Sequence, residues 1–217
     1  MTSAAAGRPA RLVVDPRDPA GPGLATAARV LREGGLIAFP TETFYGLGAD
    51  ALSEPAVRRV FAAKGRPADK PLLVLVDSVA MVGRVARDVP PRARALMARY
   101  WPGPLTLVLA ARDELPPALT AGTGTIGVRL SGHPVARALV AAAGVPVTAP
   151  SANPHAAPPP CTADQVLAAL GDHLQAILDA GPTPGGPPST VLDLTRAPAV
   201  VVRAGAVALR AEDLDAR

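Results

Sequence analysis

Cysteine is all but missing from this sequence. Cys161 stands alone among 217 residues, which excludes an internal disulfide and fits a reducing compartment. Aromatic residues make up only 3%, so a core must be built from Val, Leu, Ile and Ala. No segment offers the roughly 18 consecutive apolar residues of a membrane span. The start, Met1-Thr-Ser-Ala-Ala-Ala-Gly-Arg8, lacks the apolar core of a signal peptide. A cytoplasmic protein with no membrane partner is the expectation. Runs of about five or six basic residues are absent, and no aromatics interleave with the basic residues to form a base-stacking groove.

Several familiar chemistries are missing too. There is no G-x-x-x-x-G-K-[ST] loop for a triphosphate and no G-x-S-x-G elbow for a serine hydrolase. His133, His155, His173 and Cys161 do not have the spacing of a zinc site, so no metal site is expected. Gly122-Thr-Gly-Thr-Ile-Gly127 satisfies G-x-G-x-x-G, but a strand-like segment follows it where a dinucleotide fingerprint needs a helix.

What is present suits one globular domain. Hydrophobic residues make up 49%, while 26 prolines and 20 glycines punctuate short segments throughout. Residues 1–10 show no periodicity and read as a loose extension, leaving 11–217 as a single domain. The net charge of +4 favours anionic partners, either nucleic acid or phosphate-bearing small molecules, without choosing between them.

From Gly23 to Glu33 the apolar positions Leu24, Ala27, Ala28 and Leu31 follow helical spacing. Helices are also expected over 54–63, 92–100, 134–143 and 163–170. Strands are expected over 36–39, 72–76, 105–110, 126–130, 145–148, 190–194 and 199–203. This alternation, with a strand-rich end, indicates an α/β fold on a mixed sheet.

Four polar segments fall where this rhythm predicts strand ends or turns. Phe39-Pro-Thr-Glu-Thr-Phe-Tyr-Gly-Leu-Gly48 brings two threonine hydroxyls, a tyrosine and close glycines to a strand end, which suits a small polar ligand, or a capped turn. Lys64-Gly-Arg-Pro-Ala-Asp-Lys70 gathers three cations that suit phosphate oxygens, or complement a helix end. Thr125 to Arg129 places an arginine in an apolar strand, where a buried head needs an anion and an exposed one does not. Ser151 and Asn153, one residue apart, share a side of an extended backbone. Pro188 to Asp193 with Val202 to Gly205 again brings hydroxyls and an arginine to strand ends. The set supplies cations and hydroxyls without an evident nucleophile, metal cage or acid/base pair. Nucleotidyl transfer to a substrate carboxylate needs such positioning and charge neutralisation.

Over about residues 24–205 the chain resembles the YrdC-like family of threonylcarbamoyl-AMP synthases. The likeness is carried by Pro40-Thr-Glu-Thr43, Lys64-Gly-Arg-Pro67, Ser151-Ala-Asn153, Gly181-Pro-Thr-Pro184, Ser189-Thr190 and the arginine of Val202-Arg-Ala-Gly205. The resemblance implies a twisted mixed sheet with flanking helices around a deep, positively charged cavity. It implies joining L-threonine, bicarbonate and ATP into threonylcarbamoyl-AMP and pyrophosphate, for the N6-threonylcarbamoyladenosine of tRNA. Mg²⁺ would accompany ATP, with no tightly bound organic cofactor. Threonine contacts would fall on Thr43, Arg129, Ala149 (through its backbone) and Ser189. ATP contacts would fall on Arg66, Lys70, Thr125, Ser151, Asn153 and Arg203, with Lys64 and Arg66 as catalytic cations.

Leu75 and Pro159 depart from the family pattern, which in some members has a threonine-binding histidine and a nucleotide-binding serine there. Downstream partners implied are tRNA threonylcarbamoyltransferase proteins. Two other readings are carbamoyl transfer for hydrogenase maturation, which the single cysteine disfavours, and an RNA-binding module using a basic concave surface.

Overall fold

The computed structural model describes residues 8–67 and 70–214. Ten strands, β1 (Ala10–Val13), β2 (Ile37–Pro40), β3 (Tyr45–Gly48), β4 (Leu73–Leu75), β5 (Leu105–Ala110), β6 (Thr125–Arg129), β7 (Val147–Thr148), β8 (Ala176–Asp179), β9 (Thr190–Asp193) and β10 (Val200–Arg203), occur among the described residues. The helices are α1 (Pro22–Arg32), α2 (Glu54–Lys64), α3 (Val79–Val82), α4 (Pro91–Tyr100), α5 (Pro117–Thr120), α6 (Pro134–Ala143), α7 (Ala163–Leu170) and α8 (Ala211–Leu214). Most of the extension expected at 1–10 lies outside the described residues, but its last member, Ala10, opens β1.

The expected mixed sheet is divided in two. One sheet runs β1-β8-β2-β3, with β1, β8 and β2 parallel and β3 antiparallel to β2. The other runs β10-β9-β5-β6-β4-β7 and mixes both pairings. β6 lies inside this sheet, between β5 and β4. Arg129 at its end is therefore interior rather than on a solvent-facing edge.

A backbone seam joins the sheets. Residues 146–152 run antiparallel to 45–51, with Leu47 N–H donating to Pro150 O (2.7 Å) and Ala152 N–H to Tyr45 O (2.9 Å). Thr148, fully buried, also donates its N–H to Ala49 O (3.0 Å). Its hydroxyl accepts from Ala49 N–H (2.9 Å) and donates to Leu47 O (3.0 Å).

The helices form where pattern and caps agree. α1 buries the four residues expected from its spacing, Leu24, Ala27, Ala28 and Leu31. Burying each leucine is worth roughly 1.5–3 kcal/mol. With α6 these residues cover Ile37 and Phe39 of β2. Ser53 caps α2, and a reciprocal Thr162–Gln165 capping box opens α7. A second cluster, including Tyr45, Leu47, Val60, Met97, Leu107 and Val128, ties both sheets to α2 and α4.

Candidate active site

All the expected site residues except Lys64 and Lys70 line one cavity of about 510 Å³. The turn between β2 and β3 brings Thr43, and β6 brings Thr125 and Arg129. The seam segment brings Ala149, Ser151 and Asn153, while β9 and β10 bring Ser189 and Arg203. Arg66 enters from the loop after α2 and donates to Pro71 O (3.1 Å). Three guanidinium groups line the cavity, and no carboxylate stands among the described lining residues.

Each wall is anchored. The Thr41 hydroxyl donates to Phe44 O (2.7 Å) and accepts from Thr43 N–H (3.2 Å), closing the turn. Thr41 is thereby used locally, and the Thr43 hydroxyl, 3.2 Å from Thr41 Oγ1, donates to it and keeps its acceptor side for a ligand. Gly185 N–H donates to Thr43 O (2.8 Å), so the proline-rich loop before Ser189 is pinned to this turn. Opposite, Arg203 donates to Ser189 O (3.0 Å) through Nε and to Ser189 Oγ (2.9 Å) through Nη2. Ser189 Oγ also lies 2.9 Å from Thr106 Oγ1 in buried surroundings. Gly205 permits this arrangement, because a Cβ there would lie 2.2 Å from Pro188 O.

Ser151 and Asn153 reach the cavity differently from the extended strand expected of them. Ser151 makes an isolated bridge to Gly46, and the chain then bends through Asn153. The Asn153 amide nitrogen donates to Pro154 O (3.1 Å) and Ala157 O (2.5 Å). Its buried Oδ1 has no hydrogen-bond partner. Ala149 donates its N–H to Leu73 O (3.0 Å), so any backbone contact to a ligand is through its carbonyl.

Lys64 does not line the cavity. Its Nζ donates to Ser151 O (2.5 Å) and Asn153 O (2.6 Å), bracing that loop from behind. Burial, reinforced by Arg66, pushes its ammonium down to about 8 from 10.5. Lys70 is exposed and lies outside the lining, beside residues not described. Leu75 is fully buried in the apolar cluster under α1 and α6 and does not line the cavity, whereas Pro159 does.

The electrostatics favour an anion. Burial lowers the Arg129 pKa, and Glu42 opposes that shift. The Arg203 pKa is lowered by burial first and then by Arg129, a second cation of the same lining. Arg129 Nε is buried without a hydrogen-bond partner. Burial raises the Glu42 pKa, but Arg129 and the hydrogen bonds to this carboxylate outweigh it, so the net shift is downward. Sequence reasoning missed Glu42 and Thr106. Thr106 carries a weak signal as the one polar residue of Leu105–Ala110, whereas nothing local links Glu42 to Arg129.

The fold and cavity define an α/β protein with a hydroxyl- and arginine-lined pocket. The Sua5/YciO/YrdC family model, described as telomere recombination, matches residues 29–205, and the chain belongs to this family. It is 45% identical to the threonylcarbamoyl-AMP synthase of Pyrococcus abyssi over 84% of this chain and 54% of that protein. It is 43% identical to the threonylcarbamoyl-AMP synthase of Bacillus subtilis over 86% of this chain and 54% of that protein. The chain thus spans about half the length of these curated relatives. The crystal structure of P. abyssi Sua5 complexed with L-threonine is similar at a TM-score of 0.84 and 42% identity, over 90% of this chain and 57% of that one.

Proposed function

We propose that this chain makes threonylcarbamoyl-AMP from L-threonine, bicarbonate and ATP. The observation that carries the reading is the pair Arg129 and Arg203, one buried and one more exposed, which line one cavity whose described lining residues supply no carboxylate. Such a pair calls for an anionic guest. The relatives' names and the L-threonine held by P. abyssi Sua5 identify which guests to test.

In this reading the threonine amine combines with bicarbonate, forming a carbamate and releasing water. A carbamate oxygen then attacks the α-phosphorus, the bond to the β-phosphate oxygen breaks, and pyrophosphate leaves. Arg129 takes the threonine carboxylate, while Thr43, Ser189 and the Ala149 carbonyl surround the rest of the amino acid. Arg66 and Arg203 offset the charge on the phosphates, with Thr125, Ser151 and Asn153 holding the nucleotide. These groups are fixed before the reaction, which is what makes electrostatic stabilisation effective. Lys64 acts through the Ser151–Asn153 loop that it braces, and Lys70 is assigned no part.

Mg²⁺ travelling with the triphosphate would supply further charge neutralisation. The described lining residues offer it hydroxyl and carbonyl oxygens but no carboxylate, so phosphate oxygens and water would hold it. The product would deliver a threonylcarbamoyl group for the N6-threonylcarbamoyladenosine of tRNA. The test is pyrophosphate release with threonine, bicarbonate or ATP omitted in turn. Release should need all three, and equal release without threonine would remove the reading.

A further inference from the structure

Glu42 sits in the middle of the Thr41–Thr43 turn, yet it is not among the residues lining the cavity. Its carboxylate is held from two directions by the turn that follows β6. Ser131 donates its hydroxyl to Oε2 in a short bond, and Gly132 N–H donates to Oε1 (3.2 Å). Ser131 Oγ in turn accepts from His133 N–H (3.1 Å), at the start of α6.

Arg129 Nη2 lies 3.8 Å from Glu42 Oε2. That is close enough for strong attraction between a guanidinium that is 4% exposed and a carboxylate that is 18% exposed. It is too far for a hydrogen bond. Ser131 and Gly132 therefore act as a stop that keeps the carboxylate from closing on the guanidinium. Had the two formed a bidentate pair, the donors of Arg129 would be consumed within the protein. Instead Glu42 offsets part of the Arg129 charge without taking its hydrogen-bond donors, and the buried Nε has no hydrogen-bond partner. Arg203, in the same cavity lining, carries a like charge that repels Arg129.

We propose that Glu42 is a positioning residue for the amino-acid half of the reaction: it holds the Arg129 guanidinium against the repulsion of Arg203, with its donors directed to a substrate carboxylate. This rests on the functional reading above, in which Arg129 receives the threonine carboxylate. Glu42 touches no reacting atom, so its influence belongs on threonine binding rather than on nucleotide binding or the phosphoryl step.

The experiment measures L-threonine binding by calorimetry and KM for threonine and ATP by pyrophosphate release, in wild type, Glu42→Gln and Glu42→Asp. Glu42→Gln keeps the size and an acceptor but loses the charge. Its threonine KM and Kd should rise roughly tenfold to a hundredfold, the scale on which a misplaced positioning group acts. ATP KM should stay within about twofold and kcat at saturating threonine within about threefold, since uniform binding alone is weakened. Glu42→Asp restores the charge at shorter reach and should recover part of the threonine affinity.

A Gln variant with wild-type threonine affinity, or with equal losses for threonine and ATP, overturns the proposal. Wild-type protein that binds no threonine would instead sink the functional reading. Thermal unfolding accompanies each variant. Should Glu42→Gln fail to fold, Ser131→Ala loosens the same carboxylate from one side. A selective threonine defect in Ser131→Ala supports the proposal, and its absence refutes it.

Discussion

Lys64→Met removes a buried ammonium while keeping most of the apolar volume of the stem. In the folded chain this group releases its proton near pH 8, against 10.5 for an ordinary lysine. Below about pH 8 both folded and unfolded chains hold the proton, and burying the charge destabilises the fold by a constant amount. Between about 8 and 10.5 the unfolded chain holds more protons, so this residue's contribution to stability rises with pH. The full displacement corresponds to about 3 kcal/mol, of which about 2 kcal/mol is recovered between about pH 7 and 9.5. The neutral amine keeps two N–H donors, one each for the carbonyls of Ser151 and Asn153.

Methionine has no such titration. The wild type should therefore gain on Lys64→Met, the difference in Tm widening by roughly 4–8 °C across that window for a chain of this size. At neutral pH the difference should be small, because the two hydrogen bonds lost with Lys64 are offset by relief of the buried charge. The assay is thermal unfolding of both proteins followed by circular dichroism at half-unit pH steps. A difference that stays flat, or narrows as pH rises, would show that burial does not displace this proton, and the reasoning would fail.

Two further outcomes concern catalysis. Arg203→Ala should lower pyrophosphate release roughly a hundredfold to a thousandfold, the scale of losing one electrostatic stabiliser. Its far-UV circular dichroism should be unchanged, and wild-type turnover in a folded variant would return Arg203 to a purely structural part. Serine should be a poor but measurable substrate, about 10–200-fold below threonine, with valine worse by up to about 10⁴-fold because buried hydroxyl partners go unpaired. Comparing kcat/KM for threonine, serine and valine settles this, and valine matching serine would show that Thr43 and Ser189 read no hydroxyl.

Much of this architecture was legible where the signal is local. The spacing of Leu24, Ala27, Ala28 and Leu31 located α1, and the alternation of short apolar runs with helices located most of the second sheet. β3 was hidden because Tyr45-Gly-Leu-Gly48 reads as loop chemistry. Its glycines answer a neighbour instead, since a Cβ on Gly48 would lie 2.9 Å from Phe39 Cε1. β1 has no buried alternation, its pattern being almost wholly exposed, and it is a strand only because β8 pairs with it. β8 and the division into two sheets likewise depend on pairings between distant segments. The site was legible as residue types at strand ends, and most of those residues do meet. What single positions could not reveal was the direction of long side chains, so Lys64 faces the back of a loop and Glu42 stands behind Arg129.

Thr148 gives the seam a consequence for sequence drift. The two halves of the molecule are stitched where one hydroxyl stands in for a missing rung, answering both Ala49 N–H and Leu47 O in a fully buried setting. Valine has nearly the outline of threonine and in most strands replaces it at little cost. Here it would strand a donor and an acceptor away from water, at about 1–3 kcal/mol for each. Serine alone among the common small residues offers the same pair of bonds. The neutral path by which buried threonines become valines is therefore closed at this position, and a library of all substitutions at Thr148, selected for folded protein, should return serine and reject valine.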